Sequence, residues 1–307
     1  MRESVPPPRS PGVEVAGATT RLAGLVGSPV SHSLSPRLHA AAYEALGLDW
    51  AYAAFEVAAE DLGAAVQGAR ALGFVGLSVT TPHKDQAAQL ASRRSQTVRR
   101  LGAANTLTFE GRQVVADSTD GAGLIEELRD GLGFEPEGRR CAVIGAGGAA
   151  RAAVLALAEA GAKEVLVVNR TPARAFRAAG LAGRAGRVAR PEELDAADLV
   201  IQATPVGMLT AAGGANSDGE PPLPEGRDER AASRWPAGVD PSRFGSGQIV
   251  VDLVYDPAET PFLAEAGRCG ATTRNGLGML VHQAALQVAR WAGVPAPLEV
   301  MRRAAGL

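Results

Sequence analysis

The chain has 307 residues, of which 46% are hydrophobic and 21% are charged, a composition typical of a soluble globular protein of about two domains. Its formal net charge of -2 gives no general attraction to nucleic acid or to an anionic membrane. The two cysteines, Cys141 and Cys269, exclude a disulfide scaffold and a cysteine-based zinc site, and no metal site is predicted.

The N-terminal residues 1–19 are expected to form a disordered leader, because they are rich in proline and lack the apolar core of a signal peptide. Elsewhere, glycine or charge breaks every apolar run well before about 18 residues, so no transmembrane helix is predicted. The scarcity of cysteine favours a reducing, cytoplasmic environment.

The first half of the chain alternates short strands with helices. Strands are predicted at 21–26, 50–57 and 75–80, and helices at 36–46, at 59–72 and from Pro82 onward. Two extended runs, 104–109 and 113–116, flank Glu110-Gly111 and predict a hairpin. This order favours an α/β domain with a mostly parallel sheet and helical crossovers.

The second half restarts the alternation, with strands predicted at 140–144, 164–168, 199–203 and 249–254 and helices at 149–160 and 277–291. Residues 210–247 differ, because glycine, proline, serine and charge dominate them, and they are predicted to form a long surface loop. Two interpretations of this loop stay open. It is either a tolerated insertion, or a lid or partner contact anchored by Trp235 and Phe244.

A glycine-rich segment follows the strand at 140–144, where Gly145, Gly147 and Ala150 fit the dinucleotide-binding pattern G-x-G-x-x-A. The first glycine makes the turn, the second lets a pyrophosphate approach the backbone, and the small third residue lets helix and strand pack closely. The N–H groups at the positive end of the helix then bind the phosphates. The residues predicted to hold the pyrophosphate are Gly145, Ala146, Gly147, Gly148 and Ala149.

The end of the next strand indicates which dinucleotide is bound. An NAD site would carry Asp or Glu about 20 residues beyond the glycines, but the strand ends in Asn169-Arg170-Thr171. Arg170 can bind a 2′-phosphate and stack on adenine, and Arg174 adds a second positive charge. The sequence therefore predicts NADP, the alternative being that these arginines form only a solvated helix face.

Polar side chains in the first half cluster where predicted strands end and helices begin. They are Ser33, Ser35, Thr80, Lys84, Asn105 and Asp120. Ligands of α/β proteins bind beyond the carboxyl ends of the strands, so these groups are candidates for a polyhydroxy-acid site. Lys84 is expected in the first turn of a helix, where the helix dipole disfavours a cation, and this conflict points to function.

Taken together, these segments resemble the shikimate dehydrogenases. The resemblance runs from about Gly24 to the C-terminus outside 210–247, and its motifs are GSPVSHSLSP, SVTTPHK, GAANTL, STDG, GAGGAAR, NRT, ATPVGM, VVDLVYDPAETPFL and NGLGMLVHQAA. It implies NADPH-dependent, reversible reduction of 3-dehydroshikimate to shikimate, on the chorismate path to aromatic amino acids, by a monomer or homodimer. The alternatives are a quinate/shikimate or aminoshikimate dehydrogenase and, from another class, a non-catalytic regulator that senses shikimate or quinate.

The resemblance also implies roles for individual residues. Lys84 is the implied catalytic lysine, acting as acid–base or as electrostatic stabiliser, and Asp120 is its carboxylate partner. The implied substrate-binding residues are Ser33, Ser35, Thr80, Asn105, Tyr255 and Gln283. At the cofactor, the residues implied at the nicotinamide end are Thr204, Leu253, Gly276 and Met279, and those at the adenosine end are Asn169, Arg170 and Thr171.

The implied domains are a substrate-binding domain, 20–118 plus 277–307, and a Rossmann-type NADP-binding domain, 119–276. Ser78 and Ser118 stand where the family commonly has Asn. We expect the Ser78 hydroxyl to make a weaker or water-bridged contact with the substrate. Quinate-using relatives often carry Thr or Gly at the position of Ser35, so this serine favours shikimate.

Overall fold

A computed structural model describes residues 17–208 and 235–307, and within them the predicted α/β fold is confirmed. The strands are β1 (Arg21–Gly27), β2 (Trp50–Glu56), β3 (Gly76–Val79), β4 (Arg93–Arg94), β5 (Thr106–Glu110), β6 (Gln113–Asp117), β7 (Arg140–Ile144), β8 (Glu164–Val168), β9 (Gly186–Val188), β10 (Leu199–Gln202), β11 (Ile249–Asp252) and β12 (Thr272–Asn275). The α-helices are α1 (Ser35–Ala45), α2 (Leu62–Ala71), α3 (Lys84–Leu90), α4 (Gln96–Leu101), α5 (Asp120–Leu132), α6 (Gly148–Glu159), α7 (Pro172–Gly180), α8 (Pro261–Arg268), α9 (Leu277–Ala292) and α10 (Leu298–Ala305).

The first sheet has the strand order β2-β1-β3-β5-β6-β4. Strand β1 runs parallel to both β2 and β3, whereas β5 runs antiparallel to β3 and to β6. The predicted hairpin is therefore the antiparallel part of the sheet. The buried side chains of the first sheet, among them Leu77, Leu107 and Val114, pack against α2 and α3.

The second sheet has the order β9-β8-β7-β10-β11-β12, and every neighbouring pair in it is parallel. The chain leaves the centre at β7, builds outward to β9, and returns to β10 on the other side of β7. In such doubly wound sheets the ligand crevice lies at the carboxyl ends of the strands where this order reverses. The glycine-rich segment after β7 lies at that point.

Two helices, α5 and α9, link the two sheets. Leu124 and Leu128 of α5 and Met279 of α9 belong to the core under the second sheet. Farther along α9, Val281 and Val288 pack with Leu38 of α1, on the side of the first sheet. Because α5 packs on the second sheet and on α9, and α9 extends to the first sheet, the position of one sheet relative to the other depends on both helices.

Two helices of the first half begin later than predicted. The predicted helix 59–72 is a 3₁₀ turn, Ala59–Asp61, followed by α2. The helix expected from Pro82 begins at Lys84, after His83 as its N-cap residue. Both shifts are within the usual uncertainty of helix ends. The short strands β4, β9 and β12 were not predicted, because two to four residues give only a weak periodic pattern.

The segment 210–247 is a surface loop only in part. Residues 209–234 lie outside the described residues, but residues 235–247 contain 3₁₀ turns at Pro236–Gly238 and Pro241–Arg243. Phe244 is buried and packs edge-to-face on Phe262 at a centroid distance of 6.1 Å. From residue 235 the segment is therefore not wholly exposed, because Phe244, named above as an anchor, packs into the core of the second sheet. Of the predicted leader, 1–16 also lie outside the described residues.

A buried polar pair fixes the loops that follow β10 and β11. Gln202 and Asp252 are neighbours in the register of these strands, and the Gln202 amide donates to Asp252 Oδ1 at 3.2 Å and to the Thr204 carbonyl at 3.0 Å. Thr260 donates to Asp252 Oδ2 at 2.7 Å. Burial raises the pKa of Asp252 to about 6, which these hydrogen bonds partly oppose.

Among the described residues, no helix is both long enough and apolar enough to span a membrane.

Replacing Phe244 with Ala should lower the free energy of unfolding by about 3–5 kcal/mol, because it empties a buried aromatic site. Phe176, which is 74% exposed, supplies the matched control, and Phe176→Ala should cost less than about 0.5 kcal/mol. Urea unfolding of both variants checks this. Equal, small losses would mean that residues 235–247 do not pack as described.

Asp252 should make stability depend on pH in an unusual direction. Its pKa is raised from 3.8 to about 6, so between these values the folded chain holds a proton that the unfolded chain has released. The contribution of Asp252 to the free energy of unfolding then falls as pH rises through this window, by on the order of 3 kcal/mol.

The variant Asp252→Asn removes that titration. The free energy of unfolding of the wild type should therefore fall relative to that of the variant between about pH 4 and about pH 6. Above about pH 6 the difference between the two proteins should stay constant. Urea unfolding at a series of pH values measures the difference. A difference that stays constant across the whole window would contradict the raised pKa.

Candidate active site

An ion pair between two helix N-termini forms the centre of the candidate site. Lys84 is the first residue of α3 and Asp120 is the first residue of α5. Lys84 Nζ lies 2.6 Å from Asp120 Oδ2, and the two side chains are only 16% and 8% exposed. The carboxylate suits its helix terminus, whereas the lysine does not, so Asp120 compensates the unfavourable placement of Lys84.

The buried Asn105 connects this pair to α9. Its amide nitrogen donates to Asp120 Oδ1 at 2.8 Å and to Gln283 Oε1 at 3.0 Å. Its amide oxygen accepts from the backbone N–H of Thr119 at 2.8 Å. Lys84, Asp120, Asn105 and Gln283, four of the predicted site residues, are thus joined by direct hydrogen bonds.

Glycines in α5 allow these side chains to converge. A Cβ atom on Gly123 would lie 2.7 Å from the backbone nitrogen of Gln283, and one on Gly121 would lie 2.9 Å from the carbonyl oxygen of Ala152. Helix α5 therefore packs directly on α9 along one side and on α6 along the other. This close packing places Asp120 between the substrate-side residues and the glycine-rich segment.

Lys84 also touches the glycine-rich segment itself. A Cβ atom on Gly148, at the start of α6, would lie 3.2 Å from Lys84 Cδ. Next to this contact, Arg151 of α6 forms an ion pair with Asp85 of α3. The lysine therefore stands where the two sheets meet, within reach of ligands held by either one.

The segment after β7 fits the pyrophosphate of a dinucleotide. Gly145 has φ +121°, which L side chains rarely adopt, and a Cβ there would lie 3.1 Å from the Ala203 carbonyl. A Cβ on Gly147 would meet nothing within 4 Å, so the approach to the N-terminus of α6 is open. The N-cap residue of α6 is glycine, which leaves the first N–H groups available to phosphate oxygens.

The residues predicted for the two ends of the cofactor lie on either side of this segment. Gly145 N–H donates to the Val168 carbonyl at 2.8 Å, which places Asn169, Arg170 and Thr171, and Arg174 beyond them, at the neighbouring strand end. On the other side, a Cβ on Gly276 would lie 2.2 Å from the Leu253 carbonyl oxygen, and Thr204 Cγ2 would lie 3.2 Å from a Cβ on Gly145. Met279 follows Gly276 in the first turn of α9.

The predicted carboxylate-binding residues form a second, smaller group. Ser35 N–H donates to Ser33 Oγ at 3.2 Å. Burial raises the pKa of the Tyr255 hydroxyl, and hydrogen bonds with the Leu34 backbone and the Ser33 side chain partly oppose this. Thr80 follows β3, with its methyl group against Gly27, and lies four residues before Lys84.

The expected contact of Ser78 with the substrate is wrong. The Ser78 hydroxyl is buried, accepts from the Tyr52 hydroxyl at 2.7 Å and donates to Gln287 Oε1 at 2.7 Å. Its single proton is already committed to Gln287, so it cannot donate to a substrate oxygen. Ser118 is half-buried, and its backbone N–H donates to Asp117 Oδ1 at 2.8 Å.

Sequence reasoning missed the polar residues that support the site. Gln202, Asp252 and Gln287 touch loops or side chains of the site, and none of them was assigned a role, although Asp252 lies within the motif VVDLVYDPAETPFL. A signal was present in each case. Gln202 and Asp252 end otherwise apolar strands, and Gln287 follows Gln283 at the helical spacing that places both on one face. No group of metal-ligating side chains occurs within the described residues.

Comparison with known proteins agrees with this geometry. The model of the shikimate dehydrogenase substrate binding domain matches residues 25–107, that of shikimate/quinate 5-dehydrogenase matches 131–209, and that of the shikimate 5'-dehydrogenase C-terminal domain matches 276–305. The chain is 43% identical over 290 residues to the shikimate dehydrogenase (NADP(+)) of Geobacter metallireducens, which covers 92% of this chain and 95% of that relative.

Solved structures give the same result. A shikimate dehydrogenase in complex with NADP+ has a TM-score of 0.81 at 33% identity, covering 96% of this chain and 98% of that chain. The shikimate 5-dehydrogenase of Thermus thermophilus, in complex with NADP(H) and shikimate, has a TM-score of 0.79 at 34% identity, covering 94% and 99%. The resemblance read from the motifs is thereby confirmed, and this chain belongs to the shikimate dehydrogenase family.

Proposed function

We propose that this protein catalyses the NADP-dependent, reversible reduction of 3-dehydroshikimate to shikimate, a step towards aromatic amino acids. The observation that carries the proposal is the Lys84–Asp120 ion pair standing against Gly148 of the glycine-rich segment. This places a proton donor at the point where a substrate on the first sheet meets a cofactor on the second. The relatives named as NADP-dependent shikimate dehydrogenases support the assignment.

The substrate is oriented by two groups of side chains. Ser33, Ser35 and Tyr255 bind its carboxylate, because three hydroxyls near the start of α1 supply hydrogen-bond donors to an anion. The ring hydroxyls are bound from the opposite side by Thr80, Asn105 and Gln283. Since Asn105 also holds Asp120, substrate binding and the position of the catalytic pair are linked.

Bound NADPH supplies the hydride that converts the ring ketone into an alcohol. Negative charge grows on the ketone oxygen during this step, and the Lys84 ammonium stabilises it by a hydrogen bond and then donates the proton. Asp120 holds Lys84 Nζ in place from 2.6 Å and accepts from a neighbouring substrate hydroxyl. In the oxidation direction, Lys84 takes the proton back from the shikimate hydroxyl.

The rival functions have less support. A non-catalytic sensor of the same acids has no need of a lysine and carboxylate held in contact between two ligand sites. For the quinate alternative, Ser35 is the discriminating residue, and as serine it favours shikimate. A cytoplasmic location and a monomeric or homodimeric state are part of this proposal, as the low cysteine content and the family resemblance suggest.

A steady-state assay of the wild-type protein with shikimate and with quinate, each with NADP and with NAD, tests the function. The pair shikimate and NADP should give the highest kcat/KM. Lys84→Ala should lower turnover by ~10²–10⁴-fold, the usual contribution of a positioned acid–base group. Preference for quinate, or a variant with more than about half of wild-type turnover, would overturn the assignment.

The preference for NADP should depend on the arginines after β8. A charge-assisted contact to the 2′-phosphate contributes about 1.5–3 kcal/mol, so Arg170→Ala should raise the KM for NADP by about 10- to 100-fold. The double variant with Arg174→Ala removes any compensation from the second arginine and should lose more.

The KM for NAD is the internal control, since NAD lacks that phosphate and should be affected less. Arg177 lies in the last turn of α7, the helix that also carries Arg174. Arg177→Ala is the matched control and should leave the KM for NADP and the KM for NAD unchanged. Equal losses for NADP and NAD, or a wild-type preference for NAD, would contradict this role of Arg170.

A further inference from the structure

A second glutamine on α9, Gln287, supports the candidate site through contacts with Asn105 and its neighbour Thr106. Gln287 lies one helical turn after Gln283 and is 1% exposed. Its amide nitrogen donates to the Asn105 backbone carbonyl at 3.2 Å and to Thr106 Oγ1 at 3.0 Å. Thr106 Oγ1 in turn donates to Asn105 Oδ1 at 2.8 Å. Gln287 therefore holds Asn105 at its backbone directly and at its side chain through Thr106.

The other end of the Gln287 amide is also engaged. Its oxygen accepts from Ser78 Oγ at 2.7 Å, and Ser78 Oγ accepts from the Tyr52 hydroxyl at 2.7 Å. Burial raises the pKa of the Tyr52 phenol, so this group stays a proton donor. Every hydrogen bond in the row from Tyr52 to Asn105 thus points in one direction, which fixes the orientation of the Gln287 amide.

The orientation of the Asn105 side chain follows from this row. Its oxygen receives two donors, the Thr106 hydroxyl and the Thr119 backbone N–H, so its nitrogen must face Asp120 and Gln283. A reversed amide would set N–H against N–H at Thr119 and would place a carbonyl oxygen beside the Asp120 carboxylate. Buried polar groups left unpaired in that way are destabilising, so the observed orientation is the favoured one.

We propose that Gln287 is a positioning residue for substrate binding, which acts through Asn105 by means of Thr106 and is itself oriented by Ser78 and Tyr52. Ser78 of β3 stands where the family commonly has Asn, and in this chain it contacts the carboxamide of Gln287 on α9. The proposal rests on the proposed function, since it takes Asn105 to be a ligand of the ring hydroxyls.

The test compares Gln287→Met, which keeps the shape but removes the hydrogen bonds, with Leu286→Met, a control on the exposed side of the same helix. In Gln287→Met the KM for shikimate should rise by about tenfold, because a displaced Asn105 side chain would lose about one hydrogen bond to the substrate. The KM for NADP should stay within about twofold, because Gln287 touches no cofactor residue. A purely structural residue would instead lower the melting temperature and leave the KM for shikimate unchanged.

Should Gln287→Met fail to fold, Thr106→Val provides the second route, because it removes only the hydroxyl that links Gln287 to the Asn105 side chain. It should raise the KM for shikimate in the same selective way. In the double variant the two effects should not multiply, since both act on Asn105. An unchanged KM for shikimate in either folded variant, with wild type active on shikimate, would overturn the role of Gln287 and leave the proposed function standing.

Discussion

The ion pair of Lys84 and Asp120 is the interaction on which the rest of the site depends. Both side chains are largely removed from water, and a charge in that position must be paired or it becomes costly. Asp120 satisfies Lys84, and Asn105 satisfies the second carboxylate oxygen. The protein thereby keeps an ammonium group in a sheltered cleft, where its effect on a developing negative charge exceeds what it would be in water.

The pair joins the two sheets because α5 packs on the second sheet and presents Asp120 to Lys84 at the edge of the first. Its apolar residues complete the core of the second sheet, while its first residue, Asp120, contacts Lys84 from the first. The glycines at 121 and 123 let α6 and α9 approach within backbone contact. Substitutions on the inner face of α5 should therefore disturb catalysis through geometry, even where they touch neither substrate nor cofactor.

Local rules were sufficient for the fold class and for the glycine-rich segment. Residues 145–150 lie between a buried strand and a helix, and this context is itself readable from the sequence. Lys84 was recognisable as a candidate because it opposes the dipole of its own helix, although its partner was identified only through the family motif. These features depend on residues close together in the chain, which is why they could be predicted.

The supporting contacts could not be predicted in this way, since they join residues far apart in the chain. Gln287 meets Ser78 across 209 positions, and Gln202 meets Asp252 across 50. Phe244 was named as an anchor in only one of two interpretations of its loop, because a composition of glycine, proline and charge does not show which single apolar side chains are buried. In each case tertiary packing, which periodicity does not encode, decided the outcome.

Lys84 and Asp120 should act as one catalytic unit, since neither charge is satisfied in the cleft without the other. A double-mutant cycle of kcat for shikimate oxidation, with Lys84→Ala, Asp120→Asn and the double variant, measures this directly. Residues that act together give strongly non-additive losses, so the double variant should turn over no more slowly than Lys84→Ala alone, within about twofold. Losses that multiply would show two independent contributions and would contradict the coupling of the pair.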